Sequence, residues 1–218
     1  MGSITAHRPC IVGLTGLAGS GKSMAARFLA QRGACHLDAD QVAREILSPG
    51  SLVLAELDRQ LAETHGVAVV DGNGILNRRV LRERLSGDPA VARTVAAVTH
   101  PAIVRRLYDQ VNRAVEQGSP LVVVEAALLL GSGLEYALDH ILVITAPPEQ
   151  CAQRVAQRDG VDIARAWDLL GAQPSQDDLA RRASFVVEND GSPQDLKDAM
   201  DRLFDDLTGG GAGEDIAP

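Results

Sequence analysis

Residues 16 to 23 read G-L-A-G-S-G-K-S and match the pattern G-x-x-x-x-G-K-[ST] at every fixed position. No other stretch constrains the fold as tightly, because this P-loop pattern works only between a strand and a helix. Its glycines let successive backbone N–H groups turn toward phosphate oxygens, its lysine reaches the β and γ phosphates, and its hydroxyl faces Mg2+. Lys22 is therefore the expected cation and Ser23 the expected metal-side hydroxyl. The flanks agree: CIVGLT, 10 to 15, is a short strand-like run, and SMAARFLAQRG has helical spacing with Gly33 placed as its C-terminal cap. A flexible glycine-rich turn predicts neither. Lysine occurs only at 22 and 197 in a chain whose other basic residues are arginine, which makes an accidental match improbable. ACHLD adds a second apolar run, and strand, helix, strand opens an α/β fold with a parallel sheet.

From Gln41 to about Gln117 the pattern is mostly helical, with apolar residues three and four apart in VAREIL, LAELDRQLAE and VRRLYDQVNRAV, and a short hairpin expected around VAVVDGNGIL. That is far longer than a usual crossover and reads as a helical insertion beside the sheet. PLVVVEAALL and DHILVITA return as continuous apolar runs, the pattern of central parallel strands buried on both faces. PPEQCAQRVAQRDGVDIARAWDLLGAQ and DDLARRA are helical again, with Pro147 and Pro148 placed to start the first helix. SFVVEND reads as the last strand and SPQDLKDAMDRLFDDL as a closing helix capped by Ser192. The tail from Gly209 is expected to be disordered.

Composition removes several function classes. A chain of 218 residues, 45% hydrophobic, suits one domain with a real core. Its formal charge of −8 argues against a nucleic-acid surface, and 3% aromatics against base stacking. The longest apolar candidate, LVVVEAALLL at 121 to 130, is short for a membrane span and carries Glu125; no signal-peptide pattern opens the chain. Cys10, Cys35 and Cys151 lie far apart in apolar or helical stretches, so buried core thiols and a cytoplasmic location are expected. The five histidines show no zinc-ligand spacing.

Three groups of polar residues stand out. Asp38 and Asp40, one residue apart in HLDADQVARE, have two readings: helix-start capping, or handling of a proton or metal ion. Glu125 closes LVVVE, where it either holds a magnesium-bound water or simply ends a strand. Arg154 and Arg158, four apart in QRVAQRD, share a helix face, either as mobile cations or as a solvated face with Arg158 paired to a nearby acid. Gly16, Asp38 to Asp40 and Glu125 all fall at carboxyl ends of strands, where open parallel sheets bind ligands. A small kinase needs only a phosphate cradle, a base near the acceptor hydroxyl and cations closing over the transferred group.

The chain resembles the dephospho-CoA kinase family over most of residues 10 to 192, through GLTGLAGSGKS, LDADQVARE with SPGS, DGNGILNRRVLRERLSGDP, T-H-P-A-I at 99 to 103, PPEQCAQRVAQRD, GAQPS with Gln173, and VVENDGS. D-A-D-x-x-A-R, N-R-R-x-L-R-E-R and T-H-P are together more selective than the P-loop. The resemblance implies an α/β, nucleoside-monophosphate-kinase-like three-layer fold with a parallel central sheet, in a single domain over about 8–208. The core would span 8–47, 120–147 and 184–208, with a helical acceptor-binding insertion over 48–119 and a helical lid over 148–183. It implies phosphorylation of the ribose 3′-hydroxyl of dephospho-CoA by ATP with Mg2+, the last step of coenzyme A biosynthesis, with no obligate protein partner.

Carried onto matching positions, the resemblance makes Asp40 the group that orients the ribose hydroxyl and accepts its proton. Lys22 and the backbone of Ala18, Gly19, Ser20, Gly21 and Ser23 would hold ATP, with Arg154 at the transferred phosphate and Arg158 and Asn189 as further ATP contacts. Thr15, His100 in the T-H-P turn, and Arg82 would line the acceptor site. Asp38 or Glu125 would reach Mg2+ through water, Asp38 being otherwise structural. For His100 a helix-start role ahead of Pro101 stays open, as does a solvated face for Arg82 with Arg78, Arg79 and Arg84. The chain departs from the family where D-x-P-L-L-F-E is usual: it reads E-A-A-L-L-L-G, with Glu125, Ala127 and Gly131 at the changed positions, and Ala183-Ser184 replaces Ala-Asp. Neither change falls within residues 16 to 23 or at Asp40. Two rivals remain, another small-molecule or nucleoside monophosphate kinase and a nucleotide-binding module without chemistry.

Overall fold

The computed structural model describes residues 8–126, 129 and 138–209. The tail beyond Gly209, residues 1 to 7, and Ala127 and Gly131 of the departure segment lie outside the described residues. Two compact units divide the chain: the residues up to Asp38 and from Val111 onward form one, and Ala39–Gln110 the other.

The first unit carries the sheet. Its strands are β1 (Cys10–Thr15), β2 (Cys35–Asp38), β3 (Leu121–Glu125), β4 (His140–Thr145) and β5 (Phe185–Glu188), parallel throughout in the order β2-β3-β1-β4-β5. The continuous apolar runs form the three inner strands, β3 being buried over its whole length, while β5 at the edge alternates half-buried and exposed residues. Alternate side chains Val12, Leu14, Leu121, Val123, Leu142 and Ile144 pack with α1 (Lys22–Gln31) and α9 (Pro193–Thr208). Each such aliphatic side chain contributes about 1.5–3 kcal/mol relative to exposure. Ser192 and Asp195 form a reciprocal capping box that starts α9. With helices packed on the sheet the architecture is a three-layer α/β fold. Among the helices, α6 (Pro148–Asp159) and α7 (Ile163–Gly171) bury Cys151, Ala152, Val155, Ala166 and Leu170 together with Leu17. The short α8 (Gln176–Ala180) follows, and Gln176 clamps the backbone N–H and C=O of Ala146, both at 2.9 Å.

The sheet order also fixes where a ligand belongs. From β1 the chain runs toward β2 and from β3 toward β4, in opposite directions along the sheet, so the order reverses at the neighbours β1 and β3. The crevice beyond the carboxyl ends of that pair is the expected binding site of such a sheet. The P-loop follows β1 there, and Glu125 ends β3.

The second unit consists of α2 (Ala39–Ile46), α3 (Leu52–His65), α4 (Arg78–Gly87) and the greater part of α5 (Pro89–Glu116), around Leu54, Leu57, Leu61, Val67, Val69, Leu76, Leu81 and Val91. The hairpin expected near 67–76 narrows to one antiparallel bridge, Val70 to Leu76. Its turn is built by Asp71, whose Oδ1 accepts from Asn73 and Ile75, while the N–H groups of Val69 and Val70 go to Asp58 Oδ1 and cannot extend a ladder.

The structure also corrects the expectation at T-H-P. Thr99, His100 and Pro101 form no turn, and His100 starts no helix; all three lie inside the 28-residue α5. A residue before proline is biased against helical backbone, so a boundary is the local expectation. Pro101 costs the helix only its own N–H and strain at one carbonyl, and the helical turns on either side carry α5 through. The cysteines need adjustment too: all three are free, but only Cys151 is buried, since Cys10 and Cys35 open β1 and the edge strand β2 and are half-buried. Among the described residues no helix is long and apolar enough to cross a membrane.

Candidate active site

The loop after β1 ends on Gly21, which precedes α1 with a left-handed backbone and, having no side chain, leaves the first turn without a side-chain cap. Uncapped N–H groups and the positive end of the helix dipole make this terminus an anion site. Gly19 comes so close to α6 that a Cβ on it would lie 2.5 Å from the Cys151 carbonyl oxygen. The Lys22 ammonium folds back over the loop, donating to the carbonyls of Gly16 and Leu17 at 2.9 Å each. Thr15, at the end of β1, and Ser20 are fully buried, and neither hydroxyl oxygen has a hydrogen-bond partner among the described residues.

Three side chains from beyond the loop hold it. Arg154 on α6 donates to the Gly19 carbonyl at 3.1 Å and to Gln150 at 3.0 Å. Asn189, just after β5, donates to the Ser20 carbonyl at 2.7 Å. The N–H of Ala18 is taken by Gln173 Oε1 at 2.9 Å, from the connection between α7 and α8. Arg158, one turn beyond Arg154, instead pairs with Asp159 at 2.7 Å and is 63% exposed, so of the two arginines the structure brings only Arg154 to the loop.

A chain of polar contacts runs across the other side. Ser23 donates its hydroxyl proton to Glu125 Oε1 at 2.7 Å, and Glu125 Oε2 lies 2.9 Å from His36 Nε2 on β2. Asp38 stands directly opposite Glu125 in the β2–β3 register. Burial pushes the Glu125 carboxyl upward, but the hydrogen bonds from His36 and Ser23 and the charges of His36 and Lys22 outweigh it, and the carboxyl lies below its ordinary value. It is therefore an ionised acceptor at neutral pH.

These oxygens suit Mg2+. A hydroxyl that donates its proton to a carboxylate keeps lone pairs for a cation, and Mg2+ takes one or two protein oxygens together with substrate phosphates rather than an all-protein cage. No cluster of three His, Cys, Asp or Glu side chains able to hold a metal occurs among the described residues.

The remaining expected site residues belong to the second unit. Asp40 is exposed in the first turn of α2, two residues past the end of β2, so of the two aspartates it is the one on the helix and Asp38 the one on the strand. Arg82 is exposed on α4 and His100 is exposed on α5. Sequence reasoning gives no role to His36, Gln173 or Gln176. For His36 a signal exists, because residues two apart on a strand share a face and His36 precedes Asp38 by two. For Gln173 nothing local points to the loop, and for Gln176 nothing local points to Ala146.

The family model described as dephospho-CoA kinase matches residues 10–195. Dephospho-CoA kinase of Anaeromyxobacter dehalogenans is 41% identical over 200 residues, 92% of this chain and 93% of that one. A crystal structure from Thermus thermophilus superposes with a TM-score of 0.79 at 34% identity, covering 93% of this chain and 100% of that one. Dephospho-CoA kinase of Campylobacter jejuni shares the fold, with a TM-score of 0.69 at 22% identity over 92% of this chain and 98% of that one.

Proposed function

The chain belongs to the dephospho-CoA kinase family, and we propose on that premise that it transfers the γ-phosphoryl group of ATP to the ribose 3′-hydroxyl of dephospho-CoA, giving coenzyme A and ADP. The observation that carries this reading is the uncapped start of α1, with Lys22 over the loop and Ser23 hydrogen-bonded to Glu125. Backbone N–H groups from Ala18 to Ser23 and the Lys22 ammonium hold the phosphates. Gln173 must yield the Ala18 N–H as they enter. The Ser23 hydroxyl oxygen would hold Mg2+, with Asp38 or Glu125 reaching it through water. Mg2+, when bound, offsets the charge that develops on the β and γ oxygens.

Arg154 turns from the Gly19 carbonyl to the transferred group, as the cation of a lid spanning about 148–183. Arg158 and Asn189 act on the ATP side, Asn189 by holding the Ser20 carbonyl. Asp40 orients the 3′-hydroxyl and accepts its proton, while Thr15, His100 and Arg82 contact the acceptor, with the helices between 48 and 119 forming its seat. The chemistry needs no covalent intermediate. It rests on in-line positioning and charge stabilisation, with the closing lid excluding water that would otherwise hydrolyse ATP. A reaction fed by ATP suits a cytoplasmic site of action.

A coupled ADP-release assay with dephospho-CoA, nucleoside monophosphates, shikimate and gluconate tests the assignment. Turnover is expected with dephospho-CoA alone; turnover with another acceptor and none with dephospho-CoA would refute it. Lys22→Ala should lower turnover by roughly 10²–10³-fold, the usual loss for one transition-state charge donor. Asp40→Asn should be comparably slow yet keep ATP affinity. ATP binding without phosphorylation of any acceptor would mark a binding module instead.

A further inference from the structure

His36 has no part in the mechanism above, yet it makes one of the closest side-chain contacts at its edge. It sits on β2 opposite Val123, two residues before Asp38, so its ring shares a sheet face with Asp38 and Glu125. The Glu125 side chain is 10% exposed and that of His36 26%, so the contact is shielded from bulk water. An ionised carboxylate only accepts, which assigns the hydrogen to Nε2. Glu125 is thus held at both ends, Oε1 by Ser23 of α1 and Oε2 by His36 of β2.

A glutamate has one more methylene and one more torsion than an aspartate, so its carboxylate reaches further but is less fixed by its own backbone. Held only by Ser23, it could swing and exchange its oxygens. With Oε2 fixed by the imidazole, Oε1 stays on the Ser23 proton and the serine lone pairs stay turned outward. We propose that His36 is a positioning residue that locks the Glu125 carboxylate onto Ser23 and so sets the affinity for magnesium-bound ATP without touching the nucleotide. This rests on the reading of Ser23 and Glu125 as the magnesium side of an ATP site, and it is independent of the acceptor.

The test is calorimetric binding of ATP to the full chain, once with Mg2+ and once with EDTA, in the wild type and in His36→Leu and His36→Gln. Loss of such a supporting partner commonly costs 10- to 100-fold in metal affinity, so His36→Leu should weaken Mg2+-ATP binding by at least about ten-fold. Binding of metal-free ATP should not change. His36→Gln, whose amide nitrogen reaches a similar distance, should recover most of the loss. In a Glu125→Gln background His36→Leu should have no further effect. Equal losses with and without Mg2+, no loss at all, or an undiminished loss in the Glu125→Gln background would each overturn the proposal. If His36→Leu does not fold, His36→Asn, polar but too short to reach Glu125, takes its place with the same expectations. A wild type whose ATP binding ignores Mg2+ would overturn the metal reading itself, whereas a wild type that responds to Mg2+ but rejects dephospho-CoA would remove only the acceptor.

Discussion

Replacing Gly19 by alanine tests how closely the phosphate loop is moulded against α6. Gly19 has φ +79°, and an added Cβ would stand 2.5 Å from the Cys151 carbonyl oxygen and 3.0 Å from its Cα. Both atoms are backbone, and Cys151, Ala152 and Val155 anchor that helix in a buried cluster, so neither side can yield cheaply. The left-handed backbone costs an alanine about 1–2 kcal/mol, and forcing a methyl into packed structure adds roughly 1–3 kcal/mol. Gly33→Ala is the matched control, because Gly33 has φ +102° and nothing within 4 Å of a built Cβ, leaving the backbone cost alone. The contact is thus the difference between the two variants, about 1–3 kcal/mol. For a chain of this size a kilocalorie moves Tm by about 2–4 °C, so Gly19→Ala should melt roughly 2–12 °C below Gly33→Ala. ADP-release assays should find Gly33→Ala close to wild type. Gly19→Ala should lose ATP affinity, because loop and α6 are forced apart, which reshapes the phosphate cradle and moves Arg154, on α6, relative to it. Equal melting temperatures would show that loop and helix are not in tight contact, and the reasoning would fail.

Other consequences follow from single groups. Asp58→Leu leaves the half-buried N–H groups of Val69 and Val70 without their acceptor, at about 1–3 kcal/mol each if water does not replace it, whereas Asp58→Asn keeps an acceptor and should unfold near the wild-type urea midpoint. Glu125 is held below its ordinary value of 4.5, so the stability it contributes is present above pH 4.5 and is lost as the pH falls through the lower, folded-state value. Unfolding of the nucleotide-free chain followed across that acid range should show a shallower loss in Glu125→Gln than in the wild type.

Features set by neighbouring residues are legible in this chain, and the reason is specific. The P-loop demands a strand before it and a helix after it, so one eight-residue match places β1, α1 and the anion site together. Glu125 is legible as a carboxylate closing an apolar run, but that placement leaves a metal role and simple strand termination equally open. Arg154 and Arg158 are not separable, since four residues apart on a helix they share a face; the choice is made by the packing of Cys151, which sets α6 against Gly19. Gln173 acts on a partner 155 residues away, a separation at which no spacing rule operates; for His36 spacing gives the face it shares with Asp38 but not its partner, 89 residues away. T-H-P misleads for the opposite reason. The local rule for a residue before proline is sound, but it is weaker than the cooperative bonds of a long helix on both sides of the break.

The β2–β3 register shows why the site resists reading one residue at a time. Asp38 and Glu125 end adjacent strands directly opposite each other, and two carboxylates so placed oppose pairing of the strands. A sheet selected for stability alone would put an apolar or oppositely charged residue at one of these positions. The chain keeps both and surrounds Glu125 with donors and positive charge from two elements: Ser23 and Lys22 at the start of α1, and His36 on β2 itself. Violations of a local rule that persist under such compensation are expected where function needs the group. The choice of glutamate at position 125 and the presence of His36 then become one feature rather than two. A longer carboxylate at position 125 reaches Ser23 reproducibly only when its second oxygen is tied down, and the neighbouring strand supplies the tie.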